Sequence, residues 1–142
     1  MIEYRNYNKD DEISYLKFCE RNFGKNCYQS NAVHLRWLLK YNNEGFFIML
    51  DDDMIVGCIH SFQAFMTDSV NIILSAVIHD LMVDEKFRSS GGGLKLIQHG
   101  LKSRDFTILS GSIGKLARVY NRMCPIQIES QWYKKIMLPR NI

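Results

Sequence analysis

The hydrophobic positions of this chain repeatedly change their spacing, which predicts an alternation of short helices and strands. Residues 2–7 alternate in the way typical of a strand. The acidic residues 10–12 then favour a helix start through the helix dipole. Ile13, Leu16 and Phe23 give that helix its predicted apolar stripe.

A second helix is predicted after Ser30 or Asn31, either of which can cap it. Its apolar side is predicted to carry Val33, Trp37 and Tyr41. The polar run that ends in glycine at position 45 marks the end of this helix.

The middle of the chain predicts strands. Residues 46–50 and 54–65 are rich in β-formers and flank the acidic turn 51–53, which predicts a β-hairpin. Residues 70–83 are almost continuously apolar, which favours a central strand covered on both faces. A buried helix is the alternative for this stretch.

The rest of the chain continues the alternation after the glycine run 91–93. The remaining predicted elements are a helix over 94–101, a strand over 106–109, a helix that Ser112 caps and Pro125 ends, and strands over 126–129 and 132–138. This order predicts one α/β (α+β) domain over residues 1–142. We expect helices on both faces of a single sheet.

Composition narrows the possible functions. A chain of 142 residues with 46% hydrophobic content can bury one ordinary core. Charged residues make up 23% and the net charge is +3, which argues against a disordered chain and against a protein that coats nucleic acid. A small positive excess suits an anionic small ligand.

Cysteine usage and hydropathy predict a reduced, cytoplasmic protein. The 4 cysteines form no C-x-x-C pair, and no histidine lies at zinc-ligand spacing, so we expect neither a disulfide framework nor a metal. The acidic turn 51–53 is interpreted as a solvated turn. The N-terminus lacks an apolar signal core, and polar residues interrupt the apolar stretch 70–83, so neither secretion nor membrane spanning is expected.

The glycines at 91–93 mark a candidate anion site. They lie where a strand passes into a helix, and the first amides of a helix have no acceptor within it. These amides, the helix dipole and Arg88 together suit a phosphate or diphosphate, although a merely flexible turn is the alternative. Gly93 is not followed by Lys-Ser or Lys-Thr, and the next glycine is Gly100, so neither a P-loop nor a dinucleotide-binding loop is indicated.

The segment LMVDEKFRSSGGGLKL at 81–96 resembles the acetyl-CoA segment of the GNAT acetyltransferase family. It has the family's L-x-V strand end, then four residues, then Arg-x-x-Gly-x-Gly and a helical leucine. Ile55–Gly57, the Tyr120 helix and the final YKKI at 133–136 extend the resemblance over most of the chain. The resemblance implies a mixed, mostly antiparallel sheet of about six to seven strands with about four helices.

The resemblance also implies an acyl-CoA site. Backbone groups of Leu81, Met82 and Val83 are expected to pair with the pantetheine arm. The diphosphate is expected on the loop and helix start, with these residues around it: Arg88, Ser89, Ser90, Gly91, Gly92, Gly93 and Leu94.

Two residues are candidate catalytic groups. His79 is expected on the same strand face as Leu81 and Val83, near the thioester, where a near-neutral base is useful. It resembles a strand histidine that serves as the base in some family members, and a packed, hydrogen-bonded histidine is the alternative. Asp80 is expected to point the other way. Tyr120 resembles the family's helix tyrosine, which implies that it protonates the leaving thiolate, although it also completes an apolar helix face.

The resemblance therefore implies transfer of an acyl group, preferably acetyl, from CoA to a primary amine in a ternary complex. The acceptor is expected to be a small molecule or a peptide, with no nucleic acid or membrane partner, and a homodimer is left open. The alternatives are a longer acyl donor, a nucleotide-linked amino sugar as acceptor, or a CoA-binding regulatory domain without turnover.

Overall fold

A computed structural model describes residues 1–41, 45–67, 69–101, 106–109 and 114–123. The chain falls into two compact units, residues 1–110 and residues 111–142. The first unit contains a mixed sheet with helices, and the second contributes one described helix. The predicted α/β class is confirmed, while the assignment of residues 1–142 to a single domain stays a prediction.

The described elements follow the predicted order. They are β1 Ile2–Asn6, α1 Glu12–Phe23, α2 Ala32–Tyr41, β2 Phe46–Asp51, β3 Met54–Thr67, β4 Ile72–Val83, α3 Glu85–Arg88, α4 Gly92–Leu101, β5 Phe106–Leu109 and α5 Gly114–Met123. Short 3-10 turns, Lys9–Asp11 and Tyr28–Ser30, precede α1 and α2. The one-turn helix α3 was not predicted. The two predicted strands at 126–129 and 132–138 lie outside the described residues.

The five described strands form one sheet in the order β1-β2-β3-β4-β5. The first three pairings are antiparallel, and β4 and β5 are parallel. β4 is therefore an interior strand, as predicted, and the helical alternative for residues 70–83 is wrong. The first residues of β4 are not covered by the packed core, since Ile72 is 77% exposed.

The start of α1 is set by polar contacts. Asn8 and Asp11 form a capping box, in which the Asn8 side chain accepts from the backbone and the Asp11 carboxylate accepts from the Asn8 amide. Arg5 donates two hydrogen bonds to the same carboxylate at 2.7 and 2.8 Å and lowers the pKa of Asp11. These bonds connect β1 to the beginning of α1.

The buried faces of both helices differ from the predicted stripes. On α1 the core residues are Tyr15, Phe18 and Cys19, while Ile13 is 70% exposed. Positions two apart on a helix lie on nearly opposite sides, so the face that buries Tyr15 turns Ile13 to solvent. The predicted stripe through Ile13 is wrong.

On α2, Leu35 and Leu38 are buried, whereas Val33 is 73% and Trp37 is 54% exposed. The wrong stripe was chosen because α2 is apolar on more than one side. This leaves Val33 and Trp37 at the surface of the first unit.

The sheet separates two packed layers. On one face, α1 packs on β3, and the core includes Phe18, Phe46 and Ile48. On the other face, α4 packs on β2, β3 and β4 through the buried residues Leu96 and Ile97. Among the described residues, no helix is long and apolar enough to cross a membrane.

His60 is a polar side chain that is buried in this core without a described hydrogen bond. It lies on β3 opposite Phe46, is 1% exposed, and its ring centroid is 3.7 Å from that of Phe46. Neither ring nitrogen has a hydrogen-bond partner within the described part of the chain. Burial therefore lowers the pKa of His60 from 6.5 to about 4 and keeps the ring neutral at physiological pH.

This burial predicts an acid-sensitive fold. The unfolded chain binds a proton at His60 below about pH 6.5, whereas the folded chain does so only near pH 4. Stability is therefore fully present above pH 6.5 and falls as the pH is lowered towards 4, by up to about 3 kcal/mol at 1.36 kcal/mol per unit. We expect His60→Leu to remove this slope in urea-unfolding measurements.

The matched control is His99→Leu, which removes a partly exposed imidazole on α4. This variant should keep the slope of the original protein. An unchanged slope in His60→Leu would show that another group is responsible.

Candidate functional site

The glycine segment forms a turn between two helices. Gly91 adopts a left-handed backbone conformation with φ 78°, and its carbonyl accepts the Lys95 amide at 3.1 Å. α4 begins at Gly92, so its first amides point out of the helix start without acceptors inside the helix. The residue in the left-handed conformation is a glycine because this conformation strains most side chains.

Two of the glycines have distinct physical roles. A Cβ on Gly92 would lie 2.8 Å from Met49 Sδ and 3.5 Å from the Phe87 carbonyl oxygen, so glycine allows α4 to start close to β2. A Cβ on Gly91 would meet nothing within 4 Å. The outer side of the turn is therefore open, and a ligand can approach the backbone there.

Arg88 connects this turn to the end of β4. Its Nε donates to the Val83 carbonyl oxygen at 2.8 Å, and a guanidinium nitrogen lies 3.9 Å from Met82 Sδ. The Ser90 hydroxyl donates to the Phe87 carbonyl oxygen at 2.7 Å and closes the turn. Arg88 is exposed, so it brings a positive charge to the loop, as predicted, and also holds the loop against the strand.

The residue after β4 is fixed by α1 and β3, an arrangement that sequence reasoning missed. The Asp84 amide donates to the Val56 carbonyl oxygen at 2.8 Å. Its carboxylate, which is 10% exposed, accepts from Arg21 at 2.7 and 3.2 Å and from the Asn22 amide group. The paired residues are 63 positions apart in the sequence, so no local sequence pattern predicts the ion pair.

β4 has unequal partners on its two edges. β3 pairs with it up to Gly57↔Val83, whereas the parallel pairing with β5 ends at Ile78↔Leu109. Within the described part of the chain, no strand covers the β5-side edge of residues 79–83. Among the described residues, β4 therefore continues past its last pairing with β5 towards the glycine turn, and we call this end of the β4–β5 pairing the fork.

The backbone at this fork is oriented by the β3 pairing. Because the Asp84 amide bonds to β3, the alternation of an antiparallel ladder directs Met82 to Cys58 and directs Val83 to the opposite edge. The Leu81 carbonyl, which shares a peptide unit with the Met82 amide, also faces that edge. The Val83 carbonyl is the one that Arg88 binds.

A β-bulge changes the predicted direction of His79. The register passes from Cys58↔Met82 to His60↔His79, so β4 has one extra residue, and Asp80 in this bulge has φ 46°. The extra residue reverses the alternation, and His79 faces the α1 and α2 side, opposite to Val83. The expectation that His79 and Val83 share a face is wrong.

The bulge also brings His79 and Asp80 together. His79 Nδ1 lies 2.9 Å from Asp80 Oδ2, which contradicts the expectation that the two side chains point apart. The His79 side chain is 47% exposed and the Asp80 side chain is 9% exposed. Phe62 contacts the His79 ring edge-on, with centroids 5.6 Å apart.

An aromatic surface lies on the same side of the sheet. Tyr28 and His34 are in edge contact with centroids 4.9 Å apart, and His34 stacks with Trp37 at 5.8 Å. Tyr28 and Trp37 are 53% and 54% exposed. Burial and the nearby Asp80 charge raise the pKa of Tyr28, which keeps its phenol neutral.

The predicted residues thus fall into three groups. The loop residues Arg88–Leu94 and the strand end Leu81–Val83 belong to one continuous region of the first unit, and His79 lies on the same strand with its side chain on the other face. Tyr120 belongs to the second unit, where it is buried in α5, and its catalytic role stays a prediction. Among the described residues, no group of metal-binding side chains could hold an ion.

Comparison with known proteins agrees with this geometry. The model of the acetyltransferase (GNAT) family matches residues 10–104. A search of curated proteins finds no match.

Solved structures share the fold at low identity. A Trypanosoma brucei acetyltransferase is 18% identical with a TM-score of 0.71, over 96% of this chain and 100% of that chain. Glucosamine-6-phosphate N-acetyltransferase from Arabidopsis thaliana is 14% identical with a TM-score of 0.69, over 96% and 98%. A predicted acetyltransferase from Clostridium acetobutylicum, solved with acetyl-CoA, is 13% identical with a TM-score of 0.72, over 96% of both chains.

The matched region contains the bulge and the glycine turn, and it covers more than half of the sequence. The chain belongs to the GNAT acetyltransferase family.

Proposed function

We propose that this protein is an acyl-CoA-dependent N-acyltransferase that transfers acetyl to a primary amine by direct attack in a ternary complex. The observation that carries the proposal is the glycine turn at the mouth of the fork between β4 and β5. Helix amides without acceptors in the helix, an open approach at Gly91 and the nearby Arg88 charge support the binding of a diphosphate there.

The residues present fit an acyl-CoA. The amides of Gly91–Leu94 would bind the diphosphate, because no side chain at Gly91 obstructs the approach, whereas the Ser90 amide already donates to the Phe87 carbonyl oxygen at 3.3 Å. Leu81 and Val83 would bind the pantetheine amides as an added strand would, whereas Met82 turns its backbone to Cys58. We therefore reassign the expected Met82 hydrogen bonds to its two neighbours.

The direction of β4 sets the order of the site. With the diphosphate at the turn and the pantetheine along Val83 and Leu81, the thioester end comes towards His79, where the β5 pairing has ended. Bound acyl-CoA supplies an acyl group activated as a thioester. His79 is half-exposed at this position and can accept a proton from the acceptor.

The protons balance as follows. His79 takes one proton from the acceptor's ammonium and releases it to solvent. The carbon–nitrogen bond forms as the carbon–sulfur bond breaks, and Tyr120 donates its phenolic proton to the departing thiolate. Tyr120 recovers a proton from the new amide nitrogen, so the products are an N-acyl amine, free CoA and one proton.

A negative charge introduced at position 91 tests whether the glycine turn binds the diphosphate. Gly91→Asp and Gly91→Asn have nearly the same shape, both residues tolerate a left-handed backbone, and the space around position 91 is open. We expect Gly91→Asp to bind acetyl-CoA about 10- to 100-fold more weakly than Gly91→Asn, because its carboxylate repels the diphosphate. Isothermal titration calorimetry measures both affinities.

The comparison separates binding from folding. A carboxylate at a helix start stabilises the helix, so Gly91→Asp should melt no lower than Gly91→Asn in the absence of ligand. Equal affinities for acetyl-CoA in the two variants would place the diphosphate elsewhere.

The leaving-group role of Tyr120 is tested separately. Tyr120→Phe keeps the buried aromatic ring and removes only the hydroxyl. We expect turnover to fall roughly 100-fold or more, with acetyl-CoA affinity unchanged, because general acids contribute about that factor. Release of free thiol measures turnover.

The control for this substitution is Tyr4→Phe, which removes a phenol from β1 that stacks on His99. Its turnover should equal that of the original protein. Normal turnover in Tyr120→Phe would remove this residue from the mechanism.

A further inference from the structure

We infer that Asp80 is a positioning residue for His79: its carboxylate holds the proton on Nδ1, so that Nε2 presents the lone pair that receives the proton of the acceptor amine. This inference rests on the proposed function, because it assigns a role within the same site. The inference is based on the bulge in β4, which no sequence pattern predicts.

The bulge is what makes the pair possible. Neighbouring residues of a regular strand direct their side chains to opposite faces. Asp80 instead adopts φ 46°, and its carboxylate reaches the same side as the His79 ring. Aspartate is one of the few residues other than glycine that accept this backbone conformation.

The distance determines where the imidazole proton lies. Nδ1 and Oδ2 are 2.9 Å apart, which is a hydrogen-bond distance. Two lone pairs would repel each other at this separation, so Nδ1 carries a proton. The neutral His79 ring is then the tautomer in which Nε2 is unprotonated and basic.

The exposed fractions of the His79 and Asp80 side chains indicate different roles. The Asp80 side chain is 9% exposed and the His79 side chain is 47% exposed. The imidazole can therefore meet an acceptor and return its proton to water, whereas the carboxylate is held inside. Gln29 Nε2 lies 3.5 Å from Oδ1 of this carboxylate, and the Tyr28 hydroxyl also interacts with it.

The buried ionisable neighbours of Asp80 on α1 and β3 supply no charge that would balance its carboxylate. Burial raises the pKa of Tyr15, Cys19 and Cys58, and lowers that of His60 to about 4. These neighbours on α1 and β3 are therefore neutral at physiological pH, as is Tyr28 on the turn before α2. A buried carboxylate among neutral groups is favourable when a positive charge forms beside it.

That positive charge forms once in each turnover. When Nε2 takes a proton from R–NH₃⁺, the products are R–NH₂ and an imidazolium whose Nδ1–H already faces Asp80. The acylation step then proceeds with the bond changes given above, and Nε2 returns its proton to water. The pair therefore stabilises the protonated base without a covalent change of its own.

The main variant is Asp80→Gly, since glycine accepts φ 46° and the substitution removes the side chain that carries the carboxylate. We expect kcat to fall about 10- to 100-fold, with KM for acetyl-CoA within about twofold of the original. In ¹⁵N spectra of the histidine ring, the Nδ1–H form of His79 should lose its dominance. Asp80→Asn, which also suits this backbone and keeps the volume, should be slowed as well.

Asp52→Gly is the matched control. Asp52 also has a left-handed backbone, φ 53°, but lies in the exposed turn between β2 and β3 and binds the N-terminal amine. It should leave kcat and the His79 spectrum unchanged. In a His79→Ala background, Asp80→Gly should produce no further loss, because Asp80 acts through His79.

The outcomes are distinguishable. Thiol release is measured with acetyl-CoA and three amines, namely phenethylamine, 1,4-diaminobutane and glucosamine. If the original protein releases no thiol with any of them, the proposed function fails, and the ring spectra of the original protein and Asp80→Gly still decide the inference. An unchanged kcat or an unchanged His79 spectrum in Asp80→Gly, or an equal loss in the His79→Ala background, would overturn it.

Discussion

The unequal pairing of β4 is the constraint on which the rest of the site depends. Among the described residues, one edge of this strand is bonded to β3 through Val83, while the other is bonded to β5 through Ile78. If β4 ended at Ile78, it would have no free edge for a ligand. If it were paired on both edges over its whole length, that edge would be covered. The anchor that keeps β4 extended is Asp84, which is held by Arg21 of α1 and by the Val56 carbonyl.

The bulge at Asp80 separates two parts of β4. One part presents backbone groups at the free edge, and the other presents side chains on the α1 and α2 face. Beyond the bulge, Leu81 and Val83 direct backbone groups to the fork, and Arg88 connects that segment to the glycine turn. At the bulge, His79 and Asp80 turn to the other face, towards the aromatic surface of Tyr28, His34 and Trp37. An acyl donor bound along the edge and an amine approaching from the α2 side would therefore meet at one point of a single strand.

Local sequence patterns predicted the order of the elements and the glycine turn, because hydrophobic spacing and backbone-permissive residues act over a few positions. They also predicted the interior position of β4. The α1 stripe through Ile13 was wrong because several apolar positions compete for one face. Packing against the sheet decides that competition, and it cannot be read from the helix alone.

The parts of the site that escaped prediction are non-local. The bulge arises from the register between β3 and β4, and a one-residue change in register reverses the direction of His79. The Arg21–Asp84 ion pair and the His79–Asp80 contact likewise depend on the folded backbone. The sequence motif therefore located the glycine turn that is proposed to bind the diphosphate, but the direction of the candidate base followed only from the structure.

The most direct test of the account is a crystal structure of the protein with CoA. The account predicts diphosphate oxygens at about 2.7–3.2 Å from amide nitrogens of Gly91–Leu94, with the pantetheine arm along the free edge of Leu81 and Val83. A complex in which CoA binds elsewhere, or in which this turn is closed by protein side chains, would contradict it.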